Sequence, residues 1–133
     1  MSAFNVDDRL TIQPFRRSDG VMVWITSSEI RFRFGDDTGP LFVVPMGFET
    51  DLGSIPAALR WFFSPSDPEC ARSYVLHDWI NTLTNKRPPG AGVWSSLAAA
   101  AVLYDALRCD QVSVLKSRTI HMGVTAGIAK NEW

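Results

Sequence analysis

Between residues 43 and 56 the chain changes its period, and that change limits the folds open to it. The stretch reads Val43-Val44-Pro45-Met46-Gly47-Phe48-Glu49-Thr50-Asp51-Leu52-Gly53-Ser54-Ile55-Pro56. Before it, apolar residues alternate with polar ones, as in a strand with one wet face. After it, they recur at helical spacing. Pro45 and Gly47 break the strand. Ser54 is placed to cap a helix that Ile55-Pro56 opens, since a proline in the first turn loses no internal donor. A β half followed by a helical half predicts an α+β fold.

The β half is legible in detail at one place. Ile30-Arg31-Phe32-Arg33-Phe34 alternates strictly, so Ile30, Phe32 and Phe34 share one face and the arginines take the other. Residues 35–40, Gly-Asp-Asp-Thr-Gly-Pro, make a turn, and Leu41-Phe42-Val43-Val44 returns. Residues 21–26 are β-branched and aromatic and form a further strand. The expected sheet is small and antiparallel, spanning about residues 10–46. Residues 1–19 are mixed and polar and read as an N-terminal arm with at most one short strand, at 10–13. Such terminal segments order only by docking. Phe4 and Phe15 are the side chains to dock it, on the chain's own core or on a partner. Residues 20–133 then form one domain, and 133 residues suffice for a single core.

Three or four helices packed on the sheet are predicted, the first, a short one, over 55–63. Asp67-Pro68 opens the second, which runs to about residue 83 with Leu76, Trp79, Ile80 and Leu83 as its buried stripe. After a Pro/Gly loop, a third covers about 94–109, with alanine throughout 98–101, and a fourth about 112–129. The tryptophans at 24, 61, 79 and 94 are expected in the core. Trp133 is expected to dock at an interface, because aromatics are enriched there.

Composition excludes several classes. Apolar residues are 46% and charged ones 20%, so the chain folds. The net charge of −1 removes the electrostatic case for nucleic-acid binding. Cys70 and Cys109 lack metal-knuckle spacing and read as reduced thiols. The first eight residues lack the basic and apolar regions of a secretory signal, and the apolar run over 97–104 is too short to span a bilayer. Neither nucleic acid nor membrane is expected as a partner.

The polar residues able to do chemistry are few. Asp51, His77 and Asp78 are the candidates for a catalytic or metal site. A neutral imidazole and two carboxylates are competent ligands or acid/base groups, but a metal needs three or more converging groups. The other reading makes Asp51 a turn carboxylate and His77 its hydrogen-bonding partner, locking helix to sheet. Arg31 and Arg33 read as an exposed sheet face, and Lys116, Arg118 and His121 as a solvated helix face.

The pattern Val44-Pro45-x-Gly47-Phe48-x-Thr50-Asp51-Leu52-x-Ser54-Ile55-Pro56, with His77-Asp78-Trp79 and a helix ending Ala106-Leu107-Arg108, resembles a family of small proteins found widely in tailed bacteriophages and prophages. The resemblance covers roughly residues 41–110. It implies a phage-encoded protein and carries no activity with it. In the family's usual pattern the helix after the loop bears an acid. Here that position falls at or beside Ala100, and Asp105 replaces it only if the helix is shifted. The expected function is therefore a structural or interaction component of a phage particle, tail- or baseplate-associated. It would be made in the host cytoplasm and reside in the virion. Its partners would be other phage structural proteins, in an oligomeric setting, without a cofactor, and with Phe4, Phe15 and Trp133 at the interface. The alternative is a metal-dependent or acid/base hydrolase using Asp51, His77 and Asp78.

Overall fold

The computed structural model of the chain describes residues 2–5, 8–35, 38–50, 70–83 and 96–129. They hold six strands, β1 (Ala3–Phe4), β2 (Ile12–Arg16), β3 (Met22–Thr26), β4 (Ile30–Arg33), β5 (Leu41–Val44) and β6 (Glu49–Thr50). Three helices follow, α1 (Ala71–Leu83), α2 (Ser96–Cys109) and α3 (Val114–Ala129). The architecture is α+β. The strands form two antiparallel three-stranded sheets, ordered β1-β4-β5 and β2-β3-β6, where the sequence suggested one. The helix expected over 55–63 lies outside the described residues.

The first sheet is built as its alternation requires. Ile30 pairs with Val44 and Phe32 with Phe42, and the inward four are buried while Arg31 faces out. On this face pack Val75, Leu76 and Ile80 of α1 and Ala99, Val102 and Ala106 of α2. A second core joins Cys70 and Tyr74 to Ala100, Leu103 and Leu107 of α2 and Ile120 and Val124 of α3. Helix α1 feeds both cores, so residues 73–77 are buried without interruption and the helix lacks a simple wet face. The expected stripe holds for Leu76 and Ile80. Trp79 is half-buried, and the Leu83 side chain lies outside the described residues.

The segment expected as an arm is woven into both sheets. Strand β1 pairs with β4, setting Phe4 opposite Phe32 with ring centroids 4.7 Å apart. Strand β2 pairs with β3 over its whole length. The turn between them is bonded from Gly20 N–H to Arg17 O and closed by Arg17 N–H to Val21 O. Gly20 sits at φ 87°, a left-handed position that suits glycine. Pro14 is tolerated because of register. Thr11 O accepts from Ser27 N–H and Arg17 N–H donates to Val21 O, so Pro14, an odd number of residues from both 11 and 17, turns its nitrogen away from β3 and removes no ladder bond.

Thr26, 1% exposed, fastens the two sheets at the Pro45-Met46-Gly47 break. Its hydroxyl donates to Pro45 O at 2.8 Å and accepts from Phe48 N–H at 2.9 Å. Its carbonyl accepts from Gly47 N–H at 2.7 Å. At the other end of the fold, α2 stops in a Schellman motif, with Val112 N–H bonded to Leu107 O and Gln111 N–H to Arg108 O. Gln111 takes the left-handed position, φ 64°. Ser113 caps α3 through Lys116 N–H.

Candidate functional site

The strand-to-helix junction is where the sequence placed its chemistry. His77 and Asp78 are consecutive on α1, about 100° apart around its axis. His77 is 3% exposed, and burial pushes its pKa down to about 4, so the ring is neutral at pH 7. Asp78 is half-buried and accepts a 2.6 Å hydrogen bond from the Thr50 hydroxyl. Thr50, on β6, is itself buried. Beside them Phe48, two residues before Thr50, and Trp79, next after Asp78, meet edge to face at 5.3 Å. Sheet and helix are thus tied by a short carboxylate–hydroxyl bond beside an aromatic pair. Asp51, the third candidate, lies outside the described residues. Among the described residues no group of three His, Cys, Asp or Glu is arranged to hold a metal ion.

Neither residue that stood in for the missing helical acid joins this junction in the described contacts. Ala100 is fully buried among Cys70, Tyr74, Leu103 and Leu107. Asp105 accepts a 2.6 Å bond from the Ser2 hydroxyl, which in turn accepts from Gly35 N–H. Ser2, Gly35, Asp105, Arg108 and Cys109 line an open cavity of about 380 Å³. Burial, then Asp105 and Asp110, push the Cys109 pKa up, and the protonated sulfur lies 3.0 Å from Ser2 O.

The ionic contacts that organise the surface were not legible in the sequence. Asp8, 7% exposed, takes both Nε and Nη2 of Arg31 at 2.9 and 2.8 Å, and Arg31 N–H at 2.7 Å. The Arg31 side-chain hydrogen bond is the main force holding the Asp8 carboxyl below its usual range, against desolvation. Arg72 on α1 reaches Asp110 and Asp8 O, and its guanidinium lies 3.8 Å from the centroid of the Phe4 ring. So Arg31 is an ion-pair residue, not a bare sheet face, and Arg33 donates to Gly39 O. Phe4 docks on the chain's own core at 9% exposure.

Phe15 behaves differently from Phe4. It is 49% exposed on the β2–β3 hairpin, together with Val21 (47%), Met22 (52%) and Trp24 (37%). Trp24 was expected inside. It stands across from Pro14, and Met22 across from Arg16, so these share one face, while Phe15 lies across from Val23 on the other. The hairpin therefore shows large apolar side chains on both faces. Trp133, Trp61 and Trp94 lie outside the described residues. His121 meets the Tyr104 ring edge-on at 5.9 Å.

A family model described as a protein of unknown function, DUF1353, matches residues 27–124. No curated protein and no solved structure matches the chain.

Proposed function

Because the chain belongs to the DUF1353 family, which carries no activity with it, we propose a function from its surfaces: a structural, partner-binding component of a tailed-phage particle. The phage setting rests on the sequence resemblance. The observation that carries the interaction role is the β2–β3 hairpin. A hairpin with Phe15, Val21, Met22 and Trp24 exposed, on both faces, departs from the scattered single apolar residues of an ordinary surface. Met and aromatic side chains are also the types enriched at the centres of interfaces. Docking through these side chains fits better than strand addition along β2. Pro14 lacks the N–H that an added strand would need at the middle of that edge.

The junction supports the same reading. The Asp78 carboxylate is engaged by Thr50 and the His77 ring is buried and neutral, as suits a tie between sheet and helix. Tail- or baseplate-associated placement and contact with other particle proteins are part of the proposal. Its test is incorporation. Particles would be assembled with the wild-type chain or with Phe15→Ser/Met22→Ser/Trp24→Ser, and the chain quantified in each. The variant alters exposed positions, so its cooperative melt should be retained while it disappears from particles. A folded variant present at the wild-type level would refute the hairpin as the docking element. Absence of the wild-type chain from particles would refute the structural role.

A further inference from the structure

Helix α3 carries a second exposed strip of different chemistry. Leu115 is 78% and Met122 68% exposed. They are seven residues apart, two helical turns, and so share a face with the exposed Arg118 and Ala126. Arg118 sits midway between the two apolar side chains. The ion pairs among the described residues are Arg17–Asp19, Arg17–Glu49, Arg31–Asp8 and Arg72–Asp110, and Arg118 belongs to none of them. The helix holds Lys116, Arg118 and His121 and no Asp or Glu.

We propose that this strip docks a helix from another protein, one that sets a carboxylate between two apolar side chains at the same seven-residue spacing. The single unpaired guanidinium selects the charge, and Leu115 and Met122 supply the apolar contacts on either side. A second copy of the chain fits poorly. A two-fold antiparallel contact would set Arg118 against its mate, with no acid on α3 to relieve the repulsion. An anionic membrane also fits poorly. One cation near a lipid surface contributes about 1 kcal/mol, and stable attachment takes a cluster of them. The proposal adds a second contact to the assembly role, but its test does not depend on particles.

The probes are two synthetic helical peptides identical except for Glu or Lys at the centre of a Leu-x-x-Glu-x-x-Leu stripe. They would be titrated into the isotope-labelled full chain and followed by NMR. The Glu peptide should bind more tightly than the Lys peptide, by up to about fivefold, the upper range for one exposed charge pair. Shifts should centre on Leu115, Arg118 and Met122. Arg118→Glu, an exposed change that leaves the melt intact, should invert the preference. Four results would overturn the proposal. They are no binding or equal binding of the two peptides, shifts centred elsewhere, self-association abolished by Leu115→Ser, or binding to phosphatidylserine vesicles lost in Arg118→Glu.

Discussion

Acidification should weaken this fold through His77. The ring is 3% exposed and its pKa in the folded chain is about 4, against about 6.5 in an unfolded one. A folded pKa below the unfolded one means that the unfolded chain binds the proton more readily. The neutral histidine's contribution is therefore complete above pH 6.5 and is lost as pH falls toward 4. Integrating the linkage, the loss is about 2 kcal/mol at pH 5 and about 3 kcal/mol at pH 4, a large part of a typical domain's stability. Asp8 does not confuse this window. Its carboxyl is held below its usual value by Arg31, so its own contribution is lost only below the ordinary carboxylate range. Urea unfolding at closely spaced pH values between 7 and 4 would measure the slope, with His77→Gln as the non-titrating control. The control separates titration from packing, because only its slope matters and not its absolute stability. Equal slopes for wild type and control over that window would refute the reasoning.

Two further changes test how the fold is fastened. Thr26→Val keeps the shape but strips the hydroxyl that serves Pro45 O and Phe48 N–H. It should cost about 1–3 kcal/mol in urea unfolding, and a neutral result would remove Thr26 as the link between the sheets. Gln111→Gly relieves a left-handed residue at the α2 terminus and should raise stability by about 1 kcal/mol, or the melting midpoint by about 3 °C. A lower midpoint would show that the Gln111 side chain outweighs its backbone strain.

What the sequence made legible was local. The strict alternation at 30–34 placed Ile30 and Phe32 inside and paired their strand with the next one. The helical period located α1, α2 and α3 to within a few residues at their ends. What it hid depended on partners far along the chain. Asp8 and Arg31 are 23 residues apart, and no pattern joins them. Ser2 and Asp105 are 103 apart. The β2–β3 hairpin was hidden for a different reason. Proline in a run argues against a strand, and only the observed register shows that Pro14 loses no ladder bond. The same hairpin explains the error over Trp24, since an aromatic on a strand was assigned to the core with no sign that its face of the strand is exposed. Removing residues 2–15 should damage the fold. It deletes β1, most of β2 and the Asp8 ion pair. At the candidate site, the strand end and the helix meet through Thr50 and Asp78, whereas the expected partner of His77, Asp51, lies outside the described residues. The sequence did not pick Thr50 as the partner of Asp78, because the two are 28 residues apart and no pattern joins them.

The central claim is that this chain works by being held against other proteins through the β2–β3 hairpin. The most direct measurement places a photoreactive amino acid at position 22 in the full chain, and at position 29, an exposed glutamate outside the hairpin, as the control. Both would be irradiated in assembled particles and the adducts read by mass spectrometry. The account predicts one dominant adduct from position 22 to another particle protein, and none or a different one from position 29. Equal adducts from both positions to the same protein, or none from position 22 while the chain is present in the particle, would contradict it.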